Sequence, residues 1–183
     1  LTPIIAVSLS GTESVAGLPT TLSFLGRAIA AYPLGWLMGR VSRRSGLSAG
    51  YALGIAGAAI SAWAILNGSW WNFLLGALLL GAMRGSAEQG RFVAAEVFPA
   101  GRRASVIGVI VTAGTIGSVF GPLLVIPASN WALAREMPET MGPFVLATAL
   151  MMVALLVTFL FLRPDPGILA RSEEHTSELQ SQF

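Results

Sequence analysis

The chain has 183 residues, 54% of them hydrophobic and 11% charged, against about 25% charged in a typical soluble protein. It contains no Cys, which excludes disulfides and Cys-ligated metal centres. The sequence pI is about 9.9, but most of its arginines stand at the ends of apolar runs without interleaved aromatics, so the basic balance does not point to nucleic acid.

In chain order, residues 1–10 are too short to cross a hydrocarbon core, which needs about 20 apolar residues. They read as the outer end of a first helix whose beginning is missing. Gly11–Ser14 is a short outside turn, after which residues 16–38 cross inward and end at Arg40, Arg43 and Arg44. Residues 48–66 return outward to a turn at Asn67–Asn72, where Trp70 and Trp71 suit an interfacial aromatic belt. Residues 72–98 run inward to Pro99, Arg102 and Arg103, and 105–126 run outward to Pro127. The outer loop Pro127–Gly142 carries Arg135, Glu136 and Glu139. Residues 144–162 then run inward to the breaker Arg163–Pro166.

Arginine clusters therefore recur at every second junction, as cytoplasmic loops of multi-spanning proteins do. The pattern predicts an all-α polytopic membrane bundle over residues 1–166, with five complete helices and one remnant. Residues 167–183 stand apart as a non-native or disordered tail. Within them Arg171–Ser181 (RSEEHTSELQS) holds the only His and resembles a translated sequencing-library adapter, so the chain reads as a fragment of a longer protein.

Lipid is as apolar as leucine, so helices inside a bilayer associate through close packing at small residues. Glycines at four-residue spacing supply these contacts: Gly35 and Gly39; Gly46, Gly50 and Gly54; Gly81 and Gly85; Gly117 and Gly121. The spacing Gly26-x8-Gly35-x3-Gly39 recurs as Gly108-x8-Gly117-x3-Gly121 on the second and fifth helices. Those positions are equivalent in a three-plus-three inverted repeat, an architecture of secondary transporters.

Arg27, Arg84, Glu88 and Arg91 fall inside apolar segments, where charges are expensive and usually face a cavity or a partner. Counted from the outer helix ends, Arg27 lies ~16 Å and Arg84 ~18 Å deep at about 1.5 Å per residue. Arg84, Glu88 and Arg91 share one face of their helix, which makes Arg84 or Arg91 the expected partner of Glu88. Thr20, Ser23 and Arg27 form a polar stripe on the second helix. Two readings follow: a cationic cavity between the two helices, or an ion-pair cluster that fixes packing while Arg91 snorkels to the cytoplasm.

GWLMGRVSRR, Gly35–Arg44, resembles the loop motif G-x-L-A-D-R-x-G-R-[KR] of the major facilitator superfamily, matching at Gly35, Leu37, Arg40, Arg43 and Arg44. Gly39 replaces the usual Asp and Ser42 the usual Gly. Gly108–Pro122 resembles that family's fifth-helix antiporter pattern, with Gly108, Gly117, Gly121 and Pro122 in place. Ala95–Ser105, with Glu96, Arg102 and Arg103, looks like its loop between the fourth and fifth helices.

The resemblance implies the amino-terminal six-helix half of a twelve-helix secondary active transporter. It implies small-molecule efflux by proton antiport, with symport or facilitated diffusion as the alternative. It further implies an ion gradient in place of any cofactor or metal, and a multi-pass position in a prokaryotic cell membrane. The implied partners are the lipid bilayer, the missing carboxy-terminal half and a small-molecule substrate, with no nucleic acid. In the family the first and fourth helices line the central cavity, making Arg84 and Glu88, with Arg27, the candidates for the substrate or proton pathway. Arg40, Arg43 and Arg44 would belong to a cytoplasmic gate, with Glu96 as a substitute carboxylate for the one missing at position 39.

A membrane-embedded hydrolase or metalloenzyme is disfavoured, since outside the tail there is no His or Cys and the only Asp is Asp165. A non-transporting scaffold would have the packing glycines without the charges at Arg27, Arg84 and Glu88.

Overall fold

The structure, a computed structural model, describes residues 2–96 and 100–161, without the side chains of 91–100 and 161. The described residues form helices α1 (Thr2–Ser10), α2 (Leu18–Arg40), α3 (Arg43–Leu66), α4 (Trp70–Glu96), α5 (Ala100–Leu123), α6 (Val125–Leu133) and α7 (Gly142–Phe161). Arg91 and Glu96 lie on α4 but their side chains are outside the described set. Pro99, Arg163, Asp165 and the adapter-like tail lie outside the described residues altogether.

Local chemistry sets the ends. Pro19 occupies the first turn of α2, where its missing N–H has no helical partner to lose. The carbonyl of Leu37 accepts from the N–H of both Val41 and Ser42, closing α2. Ser42 then caps α3, its Oγ accepting from the Ser45 N–H at 3.0 Å. Gly68, at φ 62°, turns the chain between α3 and α4 in a conformation that side chains resist.

The central seams are built on glycine. A Cβ at Gly26 would strike the Leu78 carbonyl, and one at Gly81 would strike the Ser23 carbonyl. The α2 and α4 backbones are thus in direct contact, and from Ser23 against Ala77 through Arg27 against Gly85 to Gly35 against Gln89 the partners advance together, so the two helices run parallel. On α3, a Cβ at Gly50 would meet Ser86 and one at Gly57 would lie 2.9 Å from the Gly76 carbonyl, so α3 runs antiparallel to α4. Helix α7 also packs against α3, and Gly54 of α3 faces both Met83 of α4 and Met151 of α7. Ile5 of α1 is buried against Ala64 and Phe73, and Phe73 meets Phe144 edge-on at 6.0 Å.

Helix α5 is different. Along Ala113–Leu124 every residue is exposed, and nothing lies within 4 Å of a Cβ placed at Gly108, Gly114, Gly117 or Gly121. Among the described residues three segments are long and apolar enough to span a bilayer: Arg43–Leu66, Gly101–Leu133 and Glu139–Leu160. At 23 and 27 residues, α2 and α4 are long enough also, but their interior charges lower their hydropathy.

The structure corrects two expectations here. The fifth helix, expected over 105–126, ends at Leu123, one residue after Pro122, and the expected outer loop holds α6. Pro122 cannot donate to the carbonyl four residues back and its ring crowds that turn. The Leu124 N–H then divides between Phe120 at 3.3 Å and Gly121 at 3.1 Å. Pro127, read as a stop, falls in the first turn of α6, where a proline is tolerated. The two Gly-x8-Gly-x3-Gly copies also pack differently: Gly26 and Gly35 meet α4, whereas Gly39, Gly108, Gly117 and Gly121 face open space.

The arginine clusters give an orientation that labelling can check. In the full-length protein without other cysteines, Val41→Cys and Ala104→Cys are expected to stay unreactive toward a membrane-impermeant thiol reagent applied outside, and Thr12→Cys to react. Ready outside labelling at 41 or 104 would reverse the topology.

Candidate functional site

The close approach of α2 and α4 brings their polar side chains together. Ser23 Oγ lies 2.9 Å from both the Pro19 carbonyl of its own helix and the Ala77 carbonyl of α4, its single O–H shared between the two acceptors. Farther along, Gln89 Nε2 donates to the Ala31 carbonyl at 2.9 Å. Gly35 makes room for that amide, since a Cβ there would lie 2.9 Å from Gln89 Oε1.

Between these two clasps Arg27 Nη2 lies 2.6 Å from Glu88 Oε2, with the two side chains 46% and 37% exposed. Of the expected partners of Glu88, Arg84 makes no ion pair with it among the described residues and the Arg91 side chain lies outside them; the partner the structure shows comes from the neighbouring helix. Glycines at 81 and 85 let α2 come so near that Arg27 reaches the carboxylate across the seam, with Gly85 against the Arg27 backbone.

Two cavities adjoin the pair and share Arg27 in their walls. One, of about 120 Å³, is lined by Thr20, Ser23, Arg27, Ser61 and Arg84 together with Phe24, Phe73 and Phe144. The other, of about 430 Å³, is lined by Phe24, Arg27, Gly85, Glu88 and Gln89. The structure thus places Arg27, Arg84 and Glu88 around one site. Arg84 has no ion pair or hydrogen bond among the described residues, so the one described carboxylate at this site serves Arg27 and leaves Arg84 unmatched.

The other sequence candidates lie elsewhere. Arg40 stacks over Trp36 at 5.4 Å, and Arg44 over Phe159 of α7 at 3.9 Å. Leu37 is half-buried and Gly39 exposed. Arg102 and Arg103 are exposed at the start of α5. On α5 the hydroxyls of Thr112 and Thr115 donate back to Gly108 and Val111 of their own helix. Ser61 is a residue the sequence reading missed. It is 1% exposed, its Oγ has no hydrogen-bond partner among the described residues, and its four-residue spacing from Gly57 is the signal that could have drawn attention to it.

Charged groups midway along two glycine-packed helices, in a chain of apolar spans, find their match among known families. The sequence profile of the Major Facilitator Superfamily matches residues 1–181. The chain belongs to the Major Facilitator Superfamily. Two relatives in Bacillus subtilis (strain 168), both described only as uncharacterized MFS-type transporters, carry the comparison further. YdeG is 37% identical over 175 residues, covering 96% of this chain and 41% of its own length. YddS is 33% identical over 163 residues, covering 89% of this chain and 37% of its own length. The chain therefore spans less than half the length of the superfamily members it matches. No solved structure matches it.

Proposed function

We propose that this chain is one half of a secondary active transporter that moves a small molecule across a bacterial cell membrane, with Glu88 as the proton site. The observation that carries the reading is the Arg27–Glu88 pair, set between two cavities. Arg27 is 13 residues from Arg40, or ~20 Å along the helix, which puts the pair deep in the bilayer. An ion pair there is expensive unless it serves a pathway or a partner. Adding a proton to Glu88 removes the charge that holds Arg27, which frees α2 from α4 at that level. That is a local event able to bias two arrangements of the helices.

Proton antiport, and hence efflux, is supported by the Gly108, Gly117, Gly121 and Pro122 pattern. Its glycine face is open here and free to meet the rest of the protein. Symport is a second reading, favoured by the unmatched charge of Arg84. A proton on Glu88 leaves two cations for an anionic solute, so proton and anion would bind together. The stacked arginines at positions 40 and 44 would close the cytoplasmic side, with Phe159 holding Arg44.

Full-length protein in proteoliposomes, with a pH-sensitive dye trapped inside and a solute panel outside, tests coupling. At least one solute is expected to drive proton movement well above the protein-free rate, outward or inward according to antiport or symport. Solute flux unaccompanied by proton movement would leave facilitated diffusion and remove the coupling role of Glu88.

A further inference from the structure

We infer that the smaller cavity binds a small organic carboxylate with an apolar body, its carboxylate on Arg84. This deepens the transporter reading and rests on it. Two polar groups on that cavity are unsatisfied. Arg84 has no counter-ion or hydrogen-bond acceptor among the described residues, and Ser61, 1% exposed, has an Oγ without a partner. Ser61, as an unpaired buried donor, carries the full penalty of its lost water, and Arg84, though exposed in this half of the protein, is a lone cation at a depth where charges are costly. One anion would satisfy both. Arg27 does not compete for it, being held by Glu88 at 2.6 Å.

The chemistry of the walls narrows the class. A guanidinium presents a planar fork that matches a carboxylate with two parallel hydrogen bonds. Thr20 and Ser61 add hydroxyls, while Phe24, Phe73 and Phe144 supply apolar and aromatic surface. A cavity of about 120 Å³ is well above the roughly 10–15 Å³ that a single water needs on this measure. It accepts a carboxylate with part of a ring or a short chain, and the rest of the ligand extends out of the open side.

The test uses purified full-length protein and thermal unfolding in detergent. The probes are benzoate, the neutral isostere benzyl alcohol and the cation tetraethylammonium, each at 10 mM. Benzoate is expected to raise Tm by several degrees, and the other two are not. Arg84→Gln should weaken benzoate binding roughly tenfold or more, as loss of a charged hydrogen bond does. Arg84→Lys should retain part of the affinity, and Ser61→Ala should reduce it several-fold.

A Tm unmoved by benzoate, a shift that survives Arg84→Gln, or a shift produced by tetraethylammonium instead would each overturn the inference. If a carboxylate from the remainder of the protein already neutralises Arg84, benzoate has no effect and Arg84→Gln lowers the ligand-free Tm, which also overturns it. If Arg84→Gln does not fold, Arg84→Lys and Ser61→Ala decide, since unchanged benzoate affinity in both contradicts the assignment. Benzoate binding without any flux in proteoliposomes would count against transport alone, and coupled flux of cations against the anion alone.

Discussion

Gly81→Ala in the full-length protein is expected to lose about 3 kcal/mol of stability, at the upper end of what an added methylene does in a packed core. The methyl would overlap the Ser23 carbonyl, and the neighbouring contact of Gly26 with the Leu78 carbonyl allows no slack. Both obstacles are backbone, so no rotamer change relieves them and α2 must back away from α4. That movement stretches the Ser23–Ala77 hydrogen bond and the Arg27–Glu88 pair together. Gly81→Val is expected to give no folded protein. Gly17→Ala is the control: Gly17 has helical φ and ψ of −82° and −18° and nothing near its Cβ position, so its effect should stay within about 0.5 kcal/mol. Thermal unfolding and size-exclusion profiles distinguish these cases, and a wild-type Tm for Gly81→Ala would contradict the direct backbone contact.

The ion pair predicts an asymmetry. Breaking a fully buried pair by removing one partner is worth about 3–5 kcal/mol, and at 46% and 37% exposure a figure near 2 kcal/mol is expected. Glu88→Gln leaves Arg27 and Arg84 both without a carboxylate. Arg27→Gln leaves Glu88 with Arg84 one turn away on the same helix, so the anion can re-pair. Glu88→Gln should therefore lower Tm more than Arg27→Gln, and the double variant should be more stable than Glu88→Gln alone. Equal losses that simply add would mean that the two side chains do not interact in the full-length protein.

Much of the fold was legible because the bilayer imposes a simple rule on sequence. Apolar runs of spanning length, punctuated by the short turns Gly11–Ser14 and Asn67–Asn72 and the arginines of alternate junctions, leave few arrangements of the helices. The family followed from Gly35–Arg44 and Gly108–Pro122 for the same reason: glycine, proline and arginine are used where backbone contact or topology demands them. Reading failed where a third dimension was needed. Facing positions on one helix made Arg84 the obvious partner of Glu88, but the depth of the Gly26 and Gly81 contacts, which hands Glu88 to Arg27, is a property of two helices at once. Equal spacing made Gly39 and Gly121 look alike with Gly35, yet spacing does not say which glycine meets a neighbour. The break after Pro122 fell inside a span read as one helix over 105–126, and the helical course of Val125–Leu133 was hidden by Pro127, whose effect depends on where in a turn it falls.

Gradient-driven transport by Glu88→Gln protein in proteoliposomes tests the central claim most directly. The variant is first shown to be folded and its substrate exchange is measured without a gradient. Exchange is expected to persist near the wild-type rate, because the substrate contacts remain, while accumulation driven by a pH gradient is lost. Accumulation at the wild-type rate would contradict the account and leave Glu88 as a counter-ion that only holds Arg27 in place.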